Sequence, residues 1–337
     1  MAKNKFEYLA GIDVSAKKLQ VAMIGVEGQL EEMEFSNDHD GHRKLVARLT
    51  KKGRTAHVGL EATGNYSLDL LLRLSAEKHI QVMQINPKAA RRFADAQMIR
   101  AKTDQVDARQ LLEYVKRMDF VPWVPPKKEV LSLRSLSRQL QALKETHVAE
   151  QNRLHAAKAT DTTHPMVLKD LARGLTQLEK RIDALEREAL TLIASSETLQ
   201  AAHRHATSIH GIGDRSAIYI LGEMVLLPTD MSPREVVAHA GLDPRPRQSG
   251  SVDKPRSISK MGNRVLRKAL FMPALAAVRF EPAIREFYNH LIEKGKRPKV
   301  ALIAVMRKML SSLWVMLRTG ESFKAERFGP TPQAKAA

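Results

Sequence analysis

Short segments of β-forming residues follow one another closely at the start of the chain, and this spacing limits the fold more than any other feature. The segments are YLAGIDVS, LQVAMIGV and QLEEMEFS, which begin at Tyr8, Leu19 and Gln29. A parallel connection needs a dozen or more residues, whereas an antiparallel connection needs only a tight turn. Gly25 to Gly28 supplies such a turn between the second and third segments. We therefore expect three neighbouring antiparallel strands.

Helical and strand patterns then alternate as far as residue 121. The patterns predict helices over 41–49, 66–78, 87–98 and 104–118, and strands over 55–62 and 80–86. Strands that are separated by helices usually pair in parallel, so the sequence predicts a mixed sheet covered by helices. This order of elements is found in ribonuclease H-like domains. We therefore expect residues 1–122 to form one such domain, within a chain of class α/β plus α.

A proline-rich linker and two apolar series follow this region. Pro122, Pro125 and Pro126 interrupt the helical pattern. Apolar residues then recur at steps of three and four over 133–154 and 168–192, with turn residues at 160–165. The pattern predicts a helical coiled-coil hairpin over residues 127–198. Its apolar seam can pack within the chain or against a second copy of the protein, and the sequence favours neither.

The last third of the chain combines short helical patterns, glycine turns and dense positive charge. Residues 199–326 are predicted to form a mainly helical C-terminal domain, and residues 327–337 a disordered tail. Gly211 and Gly213 lie in a tight turn whose free N–H groups can face a phosphate, although a plain turn between helices fits equally well. The candidate nucleic-acid contacts in this region are Arg245, Arg247, Lys254, Arg256, Lys260, Arg264, Arg267 and Lys268.

The charge of the chain indicates its class of partner. Lysines and arginines number 55 against 37 acidic residues, a net charge of +18. Such a charge concentrates polyanions, so nucleic acid is the leading partner and an anionic membrane surface the second. The absence of cysteine excludes disulfide scaffolds, zinc ribbons and thiol catalysis. The most apolar late segment, residues 300–317, contains Arg307 and Lys308, which predicts a core helix, no membrane span and a cytoplasmic location.

Four carboxylates stand at positions where a basic protein could hold a metal ion. Asp13 and Glu61 follow apolar runs and are expected at strand ends, while Asp104 and Asp107 share one face of a predicted helix. Hard cations such as Mg2+ prefer oxygen ligands, and they assist displacement at phosphodiesters. Each residue also has an ordinary alternative; Asp104 and Glu61, for example, can be acids favoured near the start of a helix. The acidic and histidine residues of the segment 38–42 are interpreted as a solvated turn before a helix.

Several motifs resemble those of the DEDD transposases of bacterial insertion sequences. Near the start these are GIDVS at 11–15, EATGNY at 61–66, INP at 85–87 and KTDQVDAR at 102–109. Beyond the two apolar series, the motifs are IHGIG at 209–213, AGLDPRPRQSGS at 240–251 and SKMGNRVLRKAL at 259–270. The resemblance covers nearly the whole chain in the right order, excluding its ends.

The resemblance implies a function and a set of site residues. It implies a RuvC-like domain that binds Mg2+ through Asp13, Glu61, Asp104 and Asp107, and a nucleophilic Ser249 that forms a covalent phosphoserine link to DNA. It also implies guidance by a noncoding bridge RNA that pairs with target and donor DNA. The partners implied are further copies of the chain, as homodimers that assemble into a homotetramer with active sites built from two protomers. We expect such an enzyme to act at the bacterial nucleoid.

Two other functions are compatible with the residues alone. A structure-selective nuclease of the RuvC type would use the four carboxylates, hydrolyse with water and not need Ser249. A non-catalytic nucleic-acid-binding scaffold would tolerate the loss of Asp13 or Glu61. Without the resemblance, Ser249 reads as part of a glycine-serine surface loop, because no general base is evident beside it in the sequence.

Overall fold

The computed structural model describes residues 8–25, 28–61, 64, 66–98, 103–245, 248–249, 252–253 and 257–328, with the backbone alone for 248–249, 252–253 and 326–327. The chain divides into two compact units, residues 1–125 and 126–337. Each unit has its own hydrophobic core, and the division falls within the proline-rich segment.

The first unit is built around a five-stranded mixed sheet. Its elements are β1 Tyr8–Val14, β2 Lys18–Ile24, β3 Leu30–Ser36, α1 His39–Leu49, β4 Ala56–Glu61, α2 Leu68–Ser75, β5 Ile80–Ile85, α3 Pro87–Ala96 and α4 Asp104–Arg117. The strand order is β3-β2-β1-β4-β5. The first three strands pair antiparallel, while β4 is parallel to both β1 and β5. The predicted mixed sheet is therefore confirmed.

The two faces of the sheet are covered by different helices. On one face, Ile12 and Val58 join Leu45 of α1 and Leu71 of α2 in one apolar cluster. On the other face, α4 packs across β1, β2 and β4. Because side chains alternate along a strand, Gly11 and Asp13 share the face that α4 covers.

Two glycines allow α4 to lie directly on the sheet. A Cβ atom on Gly11 would lie 2.1 Å from the backbone nitrogen of Leu112, and one on Gly59 would lie 2.2 Å from Cγ2 of Val115. Only a residue without a side chain permits this close approach. Gly11 and Gly59 thus determine how closely α4 can pack on this face of the sheet.

The second unit is mainly helical. Its helices are α5 Lys128–Lys158, α6 Pro165–Ser195, α7 Glu197–Thr207, α8 Asp214–Met224, α9 Pro233–His239, α10 Arg264–Ala269, α11 Phe271–Phe280, α12 Pro282–Glu293 and α13 Pro298–Thr319. Between α9 and α10 lie four two-residue strands, β6 Pro244–Arg245, β7 Gln248–Ser249, β8 Val252–Asp253 and β9 Ser257–Ile258.

The helices α5 and α6 form the helical hairpin that the two apolar series predicted. They pack against each other, and Leu140 and Ile182 belong to one apolar cluster that also includes residues of α8 and α13. The hairpin and the C-terminal helices are thus one packed body. The seam packs within the chain, which is one of the two alternatives that the sequence left open.

The C-terminal end of the described chain corrects one prediction. The sequence predicted disorder from residue 327, but Phe328 is fully buried, and its ring lies edge-on to Phe287 and Phe323. Nζ of Lys308 donates to the carbonyl oxygen of Phe328 at 3.0 Å. The predicted tail therefore begins too early, because its first aromatic residue completes the core. Residues 329–337 lie outside the described residues.

The helix α13 is the one helix in the described part of the chain that is long and apolar enough to span a membrane. Its mean hydropathy is 1.7, and half of that apolar window is buried inside the unit. Trp314 is among its buried side chains, and its ring nitrogen donates to the carbonyl oxygen of Met231 at 2.8 Å. These contacts agree with the predicted core helix.

Candidate active site

Two of the predicted carboxylates follow paired residues of neighbouring parallel strands. Ile12 of β1 is in register with Leu60 of β4, and Asp13 and Glu61 are the next residues of each strand. The carboxyl ends of parallel strands meet at the same edge of a sheet. The sequence therefore places both side chains at one edge and, with Gly11 and Gly59 two residues earlier, on the face that α4 covers.

The other two carboxylates lie in the first turn of α4. Thr103 caps this helix, since its hydroxyl accepts from the backbone nitrogen of Val106 at 3.3 Å. Asp104 and Asp107 follow the cap. One turn further along the helix, the backbone carbonyl of Ala108 lies 2.3 Å from the position of a Cβ atom on Gly11. The start of α4 is therefore held near the end of β1.

The four carboxylates form one electrostatic cluster around Asp13. The pKa of Asp13 is raised from an ordinary value of 3.8 to about 6, mostly by burial and then by the negative charges of Asp104, Asp107 and Glu61, in that order of effect. Coulomb repulsion between like charges falls with distance, so these groups are close neighbours. The structure thus brings together the four residues that the sequence singled out.

The donor set suits a hard cation, although it is not a closed ligand cage. Carboxylate oxygens are the ligands that Mg2+ prefers, and Mg2+ usually retains several waters. Across the described ranges, no three His, Asp or Glu side chains are already arranged to hold a metal ion. Burial and then repulsion by neighbouring carboxylates raise the pKa of Asp13, and a bound cation would relieve the repulsion.

A charge-neutral replacement of Asp13 is expected to stabilise the metal-free protein. The raised pKa means that the folded state binds a proton more tightly than the unfolded chain, so this contribution to stability falls as the pH rises from about 4 through about 6. At pH 7.5 in EDTA, Asp13→Asn should therefore raise the free energy of unfolding, by about 1 kcal/mol after allowance for partial exposure. Urea denaturation measures this change.

The matched control is Asp95→Asn, because Asp95 is an exposed helical carboxylate paired with Arg91. It should change stability by less than about 0.5 kcal/mol. Addition of Mg2+ should then stabilise the wild-type protein more than Asp13→Asn. A variant that is less stable than wild type in EDTA at pH 7.5 would show that Asp13 is held by favourable contacts instead.

Ser249 lies on one of two short β-ladders, β6 with β9 and β7 with β8, which we together call the serine arm. Ser249 of β7 pairs with Val252 of β8, and Arg245 of β6 pairs with Ser257 of β9. In the chain, the pair β7 and β8 therefore lies between the strands of the pair β6 and β9. The side chain of Ser249 lies outside the described part, as do Arg247, Lys254 and Arg256.

The base of the serine arm is held by paired backbone segments. The backbone nitrogen of Ser259 donates to the carbonyl oxygen of Asp243 at 2.8 Å, and that of Lys260 donates to Gly241 at 3.1 Å. A Cβ atom on Gly262 would lie 2.2 Å from the carbonyl oxygen of His239. The AGLDP and SKMGN motifs are therefore packed directly against each other, and these contacts fix the two chain segments from which the serine arm extends.

A buried carboxylate joins this base to the helical hairpin. Glu223 of α8 is 3% exposed, and Arg138 of α5 donates to it through Nε at 2.8 Å and Nη2 at 3.2 Å. Nδ2 of Asn263, the residue that caps α10, donates to the same carboxylate at 2.6 Å. Burial alone would raise the pKa of Glu223, but these hydrogen bonds hold it below its ordinary value.

The predicted nucleic-acid contacts fall into two groups. Arg245, Lys260 and Arg264 are exposed and remain available to a polyanion. Arg267 instead donates to the carbonyl oxygen of Ala240 at 2.7 Å, and Lys268 lies 2.6 Å from the carboxylate of Glu145. These two cations therefore also stabilise the packing of the second unit. Their position in a basic stretch of the sequence did not predict this role.

The two glycines of the IHGIG motif have different surroundings. Gly211 has a φ of +96°, and a Cβ atom there would lie 2.5 Å from the carbonyl oxygen of Pro273. Packing on α11 therefore accounts for this glycine. Gly213 caps α8, with no atom within 4 Å of an added Cβ atom. Its side of the turn stays open, so the phosphate contact predicted for Gly213 stays a prediction.

Sequence reasoning missed two groups that support the site. His42 was interpreted as part of a solvated turn, whereas it is buried in α1; Asn37, Glu223 and Asn263 were not singled out. Their contacts join residues 22 to 85 positions apart in the chain. The available hint was an asparagine before a predicted helix, which is also the ordinary sign of a helix start.

Two known sequence families match this chain in succession. Residues 10–165 match the IS110-type DEDD transposases, a range that contains all four carboxylates. Residues 203–289 match the transposase IS116/IS110/IS902 family, and this range contains the serine arm. The protein is therefore a transposase, an enzyme that acts on DNA. It belongs to the IS110/IS116/IS902 family of insertion-sequence transposases.

Individual relatives extend these matches. The pilin gene-inverting protein of Moraxella bovis is 28% identical over 323 residues, which are 93% of this chain and 96% of that protein. The uncharacterized 43.6 kDa protein of insertion element IS110 from Streptomyces coelicolor is 30% identical over 166 residues, 48% of this chain and 39% of that protein. The transposase of insertion element IS1328 from Yersinia enterocolitica is 26% identical over 273 residues, 72% of this chain and 78% of that protein. The first similarity spans both units.

Proposed function

We propose that this transposase exchanges DNA strands through a covalent phosphoserine intermediate, with Mg2+ held by Asp13, Glu61, Asp104 and Asp107. The observation that carries the proposal is the placement of Asp13 and Glu61 at one sheet edge under α4, where the charges of Asp104, Asp107 and Glu61 act on Asp13. The strand order of the sheet supports a ribonuclease H-like, RuvC-like domain.

The chemistry is a pair of transesterifications. Ser249 attacks the scissile phosphorus, its Oγ forms the new P–O bond, and the departing strand end leaves as a hydroxyl that carries the proton lost by the serine. The hydroxyl of another strand end then attacks the phosphoserine, and the serine regains its proton. The number of phosphodiester bonds is conserved, so the reaction needs no nucleotide cofactor. Mg2+, when bound, neutralises charge on the phosphate and polarises it for attack.

The protein residues contribute position and charge. The four carboxylates would hold the cation at the edge of the sheet, and its charge would offset their repulsion of the phosphate. The exposed cations near the serine arm, Arg245, Lys260 and Arg264, hold the DNA backbone. In this proposal the serine arm of one protomer completes the carboxylate site of another.

The partners of the reaction belong to the same proposal. Aromatic residues make up 5% of the chain, which disfavours recognition based mainly on stacked bases. Selection of target and donor DNA by a bridge RNA fits this composition, because pairing then reads the sequence and the protein holds the backbone. We further propose a homodimer that assembles into a homotetramer, acting in the cytoplasm at the bacterial nucleoid.

The pilin gene-inverting relative favours strand exchange over hydrolysis. Inversion of a gene requires that cut ends be rejoined to new partners, which a nuclease that releases free ends does not achieve. A hydrolytic nuclease of the RuvC type is therefore the second candidate function. It rests on the same four carboxylates and does not require the serine arm.

One experiment separates these functions. The protein is incubated with Mg2+, RNA from the noncoding flank of its element and labelled DNA that carries the element ends, and products are resolved on a denaturing gel. A DNA–protein band that is lost in Ser249→Ala and in Asp13→Ala supports the phosphoserine proposal. Cleavage without such a band favours the hydrolytic nuclease, and neither product favours a binding scaffold.

A further inference from the structure

The side chain of Asn37 joins the two loops that leave the carboxylate strands. Its Nδ2 donates to the carbonyl oxygen of Ser15 at 2.8 Å and to that of Tyr66 at 3.1 Å. Ser15 is two residues after Asp13, and Tyr66 is five residues after Glu61. A single amide group therefore connects the chain segments that follow the two strand-end carboxylates.

His42 determines the orientation of this amide. Its Nε2 lies 2.8 Å from Oδ1 of Asn37, and the histidine is 6% exposed. Since Oδ1 can only accept, the ring nitrogen must be the donor in this pair. The NH2 group of Asn37 is thereby directed toward Ser15 and Tyr66.

The backbone of Asn37 is fixed as well. Its backbone nitrogen donates to the carbonyl oxygen of Lys17 at 2.9 Å. The next residue, Asp38, caps α1 by accepting from the backbone nitrogen of Gly41 at 2.8 Å. Asn37 is therefore held between the turn after β1 and the start of α1, and all three polar positions of its side chain are used.

We propose that Asn37 is a positioning residue that sets the separation of Asp13 and Glu61 for metal binding. The like charges of the cluster push the ends of β1 and β4 apart, and a cross-link between the loops that follow opposes that movement. His42 acts through Asn37, because it fixes the amide that makes the link. The inference deepens the proposed function and rests on it, since it concerns the same carboxylates.

The test is the Mg2+ dependence of DNA cleavage by the full-length protein. Residues that orient metal ligands without touching the metal typically contribute 10-fold to 100-fold in metal affinity or activity. Asn37→Ala should therefore raise the Mg2+ concentration for half-maximal cleavage by about 10-fold or more. The rate of cleavage at saturating Mg2+ should fall by a much smaller factor than this. A residue that only stabilises the fold would lower the melting temperature and leave the half-maximal concentration unchanged.

A second variant separates the donor groups from the size of the side chain. Asn37→Asp keeps the shape and the acceptor for His42 but cannot donate to Ser15 and Tyr66. Its added negative charge would by itself attract Mg2+ and lower the half-maximal concentration. We expect that concentration to rise nonetheless. If Asn37→Asp requires no more Mg2+ than wild type, the two donated hydrogen bonds do not position the carboxylates and the proposal is overturned.

The same sheet offers a matched control. Gln81 of β5 pairs with His57 of β4, with 3.0 Å between Oε1 and Nε2, which is also a contact between an amide and an imidazole. His57 lies three residues before Leu60 on β4, away from the strand end that carries Glu61. Gln81→Ala should leave the Mg2+ dependence unchanged. An equal rise in Gln81→Ala and Asn37→Ala would contradict a role specific to Asn37.

The outcomes also separate this inference from the proposed function. If wild-type cleavage does not depend on Mg2+, the proposed function fails. If wild-type cleavage depends on Mg2+ and Asn37→Ala has the wild-type dependence, only the positioning role fails. Thermal unfolding of each variant with and without Mg2+ shows that the proteins compared are folded, and the rise in melting temperature on adding Mg2+, which does not depend on activity, should be smaller in Asn37→Ala than in wild type.

Discussion

Replacement of Ser249 by alanine is expected to abolish the covalent DNA–protein product and strand exchange, with a loss of at least about 1,000-fold in rate. The reason is chemical, since alanine has no oxygen to form the bond to phosphorus and no other residue is proposed to take its place. Binding of the guide RNA should remain, because the serine arm is held at its base by backbone contacts that the change does not touch. A denaturing gel and a filter-binding assay measure the two properties.

The chain supplies a matched control for this substitution. Ser251 stands two residues later in the same QSGS stretch, so Ser251→Ala removes a hydroxyl of the same kind from the same arm. Its covalent product should persist. A band that survives in Ser249→Ala but disappears in Ser251→Ala would show that the wrong serine is assigned. A band that survives in both would exclude a nucleophile in this stretch.

The mixed sheet was predictable because local signals agreed with one another. The short intervals between the first strands permit only antiparallel pairing, and the helices between the later strands favour parallel pairing. Once β1 and β4 are parallel neighbours, Asp13 and Glu61 must lie at the same sheet edge. The positions of Asp104 and Asp107 depend on how α4 packs on the sheet, which the local sequence does not show. Gly11 and Gly59, each two residues before a carboxylate, allow this packing, but their role is evident only from the structure.

The contacts that hold the site together could not be predicted in the same way. Asn37 and Glu223 bind residues far away in the chain, and neither residue has a periodicity that marks it. The sequence showed that this stretch is basic, but it did not show that Arg267 is used within the protein, where it donates to a backbone carbonyl. The predicted tail failed for a related reason, because the burial of Phe328 depends on side chains of α12 and α13.

Removal of the buried carboxylate of Glu223 should have the largest effect on stability. Glu223→Ala leaves Arg138 and Asn263 without their shared partner, in a pair whose carboxylate is buried while the Arg138 side chain is 44% exposed. Because the guanidinium left behind is partly exposed, we expect the free energy of unfolding to fall by about 2–3 kcal/mol, less than the roughly 3–5 kcal/mol of a fully buried pair. Trp123→Phe leaves Trp314, buried in α13, as the sole tryptophan. Its fluorescence during urea denaturation then reports on the second unit.

Glu145→Ala is the matched control for Glu223→Ala. Glu145 pairs with Lys268 at 2.6 Å, but both side chains are about half exposed, so its loss should lower the free energy of unfolding by no more than about 1 kcal/mol.

The pH dependence of stability provides a second check on Glu223→Ala. The pKa of Glu223 is lower in the folded than in the unfolded protein, so its contribution is present above an ordinary value of 4.5 and is lost as the pH falls below it. The difference between wild type and Glu223→Ala should therefore narrow in acid, and a difference at neutral pH no larger than that of Glu145→Ala would contradict a stabilising role for the buried pair.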